Sequence, residues 1–167
     1  MTHILFVCHG NICRSPMGEF IMKDLVAKAG LADSVSVDSV ACTTEEIGHD
    51  MYPPAKKILT AKGIPFAPRR ARLITREDYD RADVILAMDR ENLRRLARLL
   101  GEDKAEKIRL LLSYTGTPRE VADPWYTGDF EETYQDILAG CRAVLEKFTS
   151  MMMKRKNIKS THPLKIT

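Results

Sequence analysis

A thiol and a guanidinium lie close together near the start of this sequence, in the stretch VCHGNICRSP at residues 7–16. Five residues separate Cys8 from Arg14, and Ser15 and Pro16 follow directly. A loop that leads into a helix offers unpaired backbone N–H groups, which favour the binding of an anion. The planar guanidinium of Arg14 can hold two oxygens of a phosphate group. The stretch therefore predicts a phosphate-binding site.

A thiol at such a site predicts nucleophilic catalysis on phosphorus. The positive potential of Arg14 and of the helix start stabilises the thiolate of Cys8, and Ser15 can donate a hydrogen bond to the same sulfur. Attack of the thiolate on the bound phosphate gives a phosphocysteine intermediate. A loop that turns its N–H groups inward also needs residues that tolerate a positive φ, and Gly10 and Asn11 are of that type.

A second stretch, ADPWYTGDF at residues 122–130, supplies a candidate proton donor. Departure of a phenolate or alkoxide needs a general acid, and Asp123 precedes Pro124, which favours an extended turn. Trp125 and Tyr126 come next and can form the wall of a pocket for an aromatic substrate. We expect this turn to lie beyond the fourth strand, on the loop side of the sheet.

The rest of the chain alternates between apolar strands and amphipathic helices, which predicts an α/β fold with a parallel sheet and helices on both faces. Ser15 and Pro16 predict the start of the first helix, and Asp89 predicts the cap of a later one. Apolar positions between residues 134 and 148 predict a final helix that packs on the core, with Cys141 among them. The predicted strands are residues 3–8, 34–40, 83–88 and 108–112.

Length and composition indicate one globular domain. The chain has 167 residues, of which 44% are hydrophobic and 29% charged, and no apolar run is long enough to span a bilayer. We expect a cytoplasmic protein, in which the four cysteines are free thiols. The histidines and cysteines show no metal-binding spacing, so no metal or other cofactor is expected.

The net charge of +3 hides an uneven distribution. Five of the 26 basic residues lie in the segment 151–167, which has no acid, so residues 1–150 carry 21 basic and 23 acidic residues. A body with this slight negative charge is not expected to bind nucleic acid. We predict a catalytic domain over residues 1–150 and a solvated basic tail over residues 151–167.

The chain resembles the low-molecular-weight protein tyrosine phosphatases over roughly residues 2–149. CHGNICRSP resembles the phosphate loop of that family, DPWYTGDF its general-acid loop, and AMDRENL at residues 87–93 its segment after the third strand. The resemblance implies a doubly wound four-stranded parallel sheet with the phosphate loop after the first strand. It also implies metal-independent hydrolysis of phosphotyrosine-containing proteins, with phosphate as a product. The oligomeric state stays open.

The resemblance also implies roles for individual residues. Cys8 becomes the nucleophile, Arg14 the phosphate-binding catalytic residue, and Asp123 the acid and then the base. Asn11 holds the conformation of the loop, and Ser15 assists the thiolate. The predicted substrate-binding residues are His9, Gly10, Asn11, Ile12, Cys13, Ser15, Trp125 and Tyr126.

The sequence departs from the family pattern in two places. Thr44 and Glu45 stand about where many members have an aromatic residue of the pocket wall, and Tyr52 is a possible substitute that the sequence leaves open. Many members also have a histidine that supports the asparagine of the phosphate loop. Arg69 stands in that place, and the supporting role is not transferred to it.

Three other functions are compared with the hydrolysis of phosphotyrosine. In a protein-arginine phosphatase of this family a threonine is expected where this loop has Ile12, which suits a phenyl ring better. An arsenate reductase needs further cysteines near residues 80–92, and there are none. A non-catalytic phosphopeptide-binding module has no need of Cys8 or Asp123, and both are present.

Cys13 has two open interpretations. It is either a small packing residue beneath the loop or a thiol that forms a disulfide with oxidised Cys8 and protects it. The family resemblance favours the second interpretation.

Overall fold

The computed structural model describes residues 1–160. Its elements, in chain order, are β1 (Thr2–Cys8), α1 (Arg14–Lys28), β2 (Val35–Ala41), α2 (Pro53–Ala61), α3 (Arg76–Arg81), β3 (Val84–Ala87), α4 (Arg90–Leu100), β4 (Ile108–Leu110), a 3-10 helix (Leu111–Thr115), α5 (Pro124–Thr127) and α6 (Phe130–Ser160).

The four strands form one parallel sheet in the order β2-β1-β3-β4. Cys8 pairs with Ala41 on one side, and Val7 pairs with Ala87 on the other, so the carboxyl ends of these three strands meet at one edge. The predicted α/β fold with a four-stranded parallel sheet is confirmed. In such sheets the loops beyond the carboxyl ends of the strands hold the ligand, and the loop 9–13 follows β1 there.

Hydrophobic cores cover both faces of the sheet, because successive strand residues point to opposite faces. Phe6 packs on the side of α1 and α6, together with Ile21 and Ile137. Its neighbour Val7 packs on the other side, together with Leu96 of α4. This arrangement explains why the first strand is a continuous apolar run rather than an alternating one.

Helix α1 begins at Arg14, two residues earlier than predicted. Its N-cap is Cys13, which makes no side-chain cap hydrogen bond, so the assignment of Ser15 as the cap is wrong. Ser15 lies in the first turn, and its hydroxyl oxygen contacts the sulfur of Cys8 instead. Pro16 also lies in that first turn, where backbone N–H groups have no partner within the helix.

The last strand is shorter than predicted, and a helix was missed after it. β4 ends at Leu110, and the chain turns into the 3-10 helix where the sequence predicts more strand. Asp123 has the extended backbone predicted for a residue before proline, with φ −75° and ψ 114°. The residues after it form the short helix α5 rather than an open turn.

Helix α6 is longer than its apolar pattern. The N–H of Glu132 donates to Oδ1 of Asp129 at 2.9 Å, and Cys141 is fully buried in the core as predicted. The helix continues past residue 148 to residue 160, and Met152 is half-buried against the core. Residues 153–158 are exposed on all sides of the helix. The rest of the predicted tail, residues 161–167, lies outside the described residues.

Candidate active site

The loop between β1 and α1 encloses the sulfur of Cys8. This sulfur lies 3.0 Å from Oγ of Ser15, and the backbone N–H of Ser15 donates to it at 3.3 Å. Both groups belong to the first turn of α1, where the helix dipole is positive. Cys8 is only 3% exposed, so its sulfur lies at the bottom of a cleft. These contacts place two polar groups of the helix start directly against the sulfur.

Asn11 has the positive φ that the loop requires, at 60°. Gly10 was predicted to share this property, and it does not. What Gly10 provides is space, because a Cβ atom there would lie 3.1 Å from Cγ of Glu46. The glycine therefore lets the loop after β2 approach the phosphate loop closely.

The side chain of Asn11 connects the loop to the protein interior. Its Nδ2 donates to Oγ of Ser15 at 2.8 Å and to Oγ of Ser39 at 3.0 Å. The hydroxyl of Ser39 donates in turn to Oε1 of the buried Glu19 at 2.6 Å. The hydroxyl of Ser15 accepts from Asn11 and lies 3.3 Å from the carbonyl of Val40 and 3.0 Å from the sulfur of Cys8, so either of these two groups is within reach of its proton.

Arg69 supports the other end of the same amide, a role that was not expected from the sequence. Its Nη2 contacts Oδ1 of Asn11, and the backbone N–H of Arg72 donates to that oxygen at 3.3 Å. Burial lowers the pKa of the Arg69 guanidinium, and the charges of Glu19 and Cys8 oppose this effect. The asparagine is thus held in one orientation from both sides.

Arg14 is nearly fully buried and is fixed by three acceptors. Its Nη1 donates to Oδ2 of Asp89 at 2.7 Å and to the carbonyl of Val121 at 3.0 Å. Its Nη2 donates to Oδ2 of Asp123 at 3.3 Å. Burial opposes the charged form of Arg14, but Cys8, Asp123 and Asp89 outweigh it and raise the pKa of the guanidinium. The charge of Arg14 is therefore permanent.

Asp89 is a residue of the site whose part the sequence did not reveal. The sequence predicts it as a helix cap, and Oδ1 does accept the N–H of Asn92 at 2.8 Å. Its second oxygen orients Arg14, which lies 75 residues earlier in the chain. Its position at the carboxyl end of β3, next to β1, was the available signal.

Asp123 and two aromatic residues form one wall of the cleft. Oδ1 of Asp123 accepts the N–H of Trp125 at 3.0 Å, and its other oxygen faces Arg14. Trp125 and Tyr126 are 56% and 85% exposed. The ring of Tyr52 packs against Trp125 with centroids 5.0 Å apart. Tyr52 therefore supports this wall from behind, and it is not among the residues that line the cleft.

The facing wall comes from the loop after β2. Glu45 and Glu46 both line the cleft, about where many members of the family have an aromatic residue. Oε2 of Glu45 lies 2.7 Å from Nε2 of His9. The full set of lining residues is Cys8, His9, Gly10, Ile12, Cys13, Arg14, Glu45, Glu46, Asp123, Trp125 and Tyr126.

The structure thus brings most of the predicted site residues to one cleft. Asn11 and Ser15 are the exceptions, because both are fully buried behind the loop and do not line the cleft. Cys13 is a buried free thiol, and burial together with the charge of Cys8 raises its pKa strongly. Within residues 1–158, whose side chains are described, no group of three His, Cys, Asp or Glu side chains could hold a metal ion. In that same part of the chain, no helix is long and apolar enough to cross a membrane.

A parallel α/β sheet with a cysteine held in an anion-binding loop defines a phosphate-processing protein of the cysteine-dependent class. Comparison with known proteins is consistent with this class. The model of the family "low molecular weight phosphotyrosine protein phosphatase" matches residues 3–157.

Curated relatives cover nearly the same range. The chain is 42% identical over 147 residues to the low molecular weight protein-tyrosine-phosphatase YfkJ of Bacillus subtilis, covering 87% of this chain and 94% of the relative. It is 39% identical over 149 residues to the human low molecular weight phosphotyrosine protein phosphatase, covering 86% of this chain and 94% of the relative.

Solved structures agree in fold. The crystal structure of YfkJ matches with a TM-score of 0.86 and 40% identity over 90% of this chain and 96% of that one. The crystal structure of the Drosophila arginine phosphatase matches with a TM-score of 0.78 and 33% identity over 89% of this chain and 98% of that one. The chain belongs to the low molecular weight protein tyrosine phosphatase family. It is a phosphoric monoester hydrolase that acts on phosphotyrosine through a phosphocysteine intermediate.

Proposed function

We propose that Cys8 is the nucleophile and that Arg14 and the loop N–H groups hold the phosphate. The observation that carries this assignment is the pair of contacts from Ser15, its hydroxyl at 3.0 Å and its N–H at 3.3 Å, to one sulfur at the start of α1. The thiolate forms a bond to phosphorus while the bond to the aryl oxygen breaks. Arg14 stabilises the charge on the equatorial oxygens as it builds up.

Asp123 completes both half-reactions in this proposal. It gives its proton to the departing aryl oxygen, which leaves as a phenol. It then takes a proton from a water molecule, which attacks phosphorus and releases Cys8 as a thiolate together with inorganic phosphate. Ser15 stabilises that thiolate as a leaving group, and Asn11 keeps the hydroxyl of Ser15 in place. We therefore assign Asn11 and Ser15 to support of the nucleophile rather than to contact with the substrate.

The remaining lining residues receive the aryl part of the substrate. Ile12 is half-buried in the lining and offers an apolar surface, and Trp125 and Tyr126 offer aromatic ones. His9, Gly10 and Cys13 complete the loop around the phosphate. A phosphotyrosine side chain in a protein fits these surfaces, because its phenyl ring is apolar and its phosphate is a dianion.

The site test is substitution of Cys8 by serine. The Cys8→Ser variant is expected to lose turnover of p-nitrophenyl phosphate while it still binds inorganic phosphate, since the anion site consists of N–H groups and Arg14. Cys141→Ala is the matched control, because it removes a buried thiol from α6. Steady-state turnover by Cys8→Ser that is comparable to that of the control would remove Cys8 from the nucleophilic role.

Phosphoarginine is the second candidate substrate. The similarity to the Drosophila arginine phosphatase favours it, and the apolar Ile12 favours phosphotyrosine. Paired peptides that differ only in carrying phosphotyrosine or phosphoarginine separate the two, and we expect the phosphotyrosine peptide to have the higher kcat/KM.

Domain limits and location complete the proposal. We propose that residues 1–150 form the catalytic domain and that residues 151–167 form a basic tail that takes no part in catalysis. A cytoplasmic location is supported by the four cysteines, all of which are free thiols.

A further inference from the structure

The catalytic cleft has two unlike walls. The wall after β4 is aromatic, formed by Trp125 and Tyr126. The wall after β2 is acidic, formed by Glu45 and Glu46. The side chain of Glu45 is 64% exposed, and that of Glu46 is 31% exposed with its Oε2 lying 2.6 Å from Nδ1 of the exposed His49.

The acidic wall is held in place by the phosphate loop itself. The hydroxyl of Thr43 donates to the carbonyl of His9 at 2.8 Å, and the ring of His9 contacts Glu45. Glu46 packs directly over Gly10. The two carboxylates thus stand at a fixed place beside the position of the substrate phosphate.

The cleft that leads to the nucleophile is lined by this wall. The sulfur of Cys8 lies at the bottom of the cleft, so a phosphotyrosine ring must enter it and leave its main chain at the rim. Side chains next to the phosphotyrosine then lie within reach of Glu45. An acidic neighbour adds repulsion to that already felt by the dianion, and a basic neighbour forms an ion pair.

We propose that Glu45 and Glu46 make this enzyme select phosphotyrosines that have an arginine or lysine directly beside them in the sequence. The inference rests on the proposed function and names a substrate class within it. Glu45 is the principal contact because it is the more exposed of the two. The selection acts through charge at the rim, and the bonds made to phosphate at the loop stay the same.

The test compares three phosphotyrosine peptides that differ only at the two positions flanking the phosphotyrosine, which carry arginine, glutamine or glutamate. With the wild-type enzyme we expect kcat/KM for the arginine peptide to exceed that for the glutamate peptide by about three- to tenfold, the range of exposed ion pairs and like-charge contacts. The ratio should shrink as salt is added, because exposed charges are screened.

Variants of Glu45 and Glu46 test whether these two residues cause the difference in kcat/KM between the arginine and glutamate peptides. In Glu45→Gln/Glu46→Gln the ratio is expected to fall to about one, and in Glu45→Lys/Glu46→Lys to invert, as the ion-pair contribution is removed or reversed. Glu102→Gln is the control, because it removes an exposed acid in the segment before β4, at the opposite edge of the sheet. It should keep the wild-type ratio.

Each result has one meaning. Equal kcat/KM values for the three peptides with the wild-type enzyme overturn the inference, even if a wall variant fails to fold. A wild-type ratio that persists in Glu45→Gln/Glu46→Gln overturns it as well. Failure to turn over both p-nitrophenyl phosphate and the glutamine peptide contradicts the proposed function instead.

Discussion

The guanidinium of Arg14 donates from Nη1 to Oδ2 of Asp89 at 2.7 Å, while Oδ1 of the same aspartate caps helix α4. One carboxylate thus fixes both the start of a helix and the orientation of the phosphate-binding arginine. Arg14 begins the helix that follows β1, and Asp89 caps the helix that follows the neighbouring strand β3.

Asp89→Asn should separate these two tasks. Asparagine caps helices about as well as aspartate, so the midpoint of thermal unfolding should change little. Its amide does not replace the charged acceptor, so kcat/KM for p-nitrophenyl phosphate should fall by about tenfold or more. Asp129→Asn makes the same change at the start of α6 and should leave kcat/KM unaltered. Wild-type kinetics in Asp89→Asn would show that Val121 and Asp123 alone orient Arg14.

Arg69→Met should weaken the support of Asn11 and hence of Ser15. We expect kcat to fall by about two- to tenfold, the range for one net hydrogen bond. Alkylation of Cys8 by iodoacetamide at neutral pH should also slow, because Ser15 then stabilises the thiolate less well. Arg70→Met changes the exposed neighbour and should alter neither rate. Unchanged alkylation in Arg69→Met would leave Arg69 with a packing role only.

Asp123→Asn should slow substrates with poor leaving groups the most. General acid catalysis contributes about 10²–10⁴-fold, and it matters most when the departing oxygen is strongly basic. The loss in kcat should therefore be larger for phenyl phosphate than for p-nitrophenyl phosphate. Losses of equal size for both substrates would mean that Asp123 acts only through its contact with Arg14.

Peroxide should inactivate the wild-type enzyme reversibly. It oxidises the Cys8 thiolate to a sulfenic acid, and the thiol of Cys13 then displaces water to form a disulfide. Burial raises the pKa of Cys13, so this residue stays protonated at neutral pH and Cys8 is oxidised first.

In Cys13→Ser most of the lost activity should stay lost after treatment with dithiothreitol, because the sulfenic acid proceeds to higher oxidation states. Cys42→Ser is a matched control with another buried free thiol and should recover as the wild type does. Peptide mapping should show the Cys8–Cys13 link in oxidised wild-type protein. Full recovery of activity by the oxidised Cys13→Ser variant would show that Cys13 is only a packing residue.

Removal of the tail should leave the chemistry intact. Truncation after residue 153 removes only side chains that are exposed on α6 or lie outside the described residues, so kcat/KM on p-nitrophenyl phosphate should stay within about threefold. Truncation after residue 150 also removes Met152, which packs on the core, and should lower the midpoint of thermal unfolding. A large loss of kcat/KM after truncation at residue 153 would show that the tail contributes to the active site.

Local signals in the sequence determined the architecture and the phosphate loop. The apolar run of β1 predicted a strand buried on both faces, and the spacing of Cys8, Arg14 and Ser15 predicted the anion site, because these features depend on neighbours within a few residues. Asp89 was likewise predicted as a helix cap from its immediate context.

The tertiary structure decided which distant residues complete the site. Asp89 reaches Arg14 and Arg69 reaches Asn11 only because the parallel strands place their following loops at one edge of the sheet. The same packing directed Ser15 to the sulfur of Cys8 instead of the helix cap, and placed Glu45 opposite the aromatic wall. A capping preference or a local pattern contains no information about contacts across 58 or 75 residues, so these relationships required the fold.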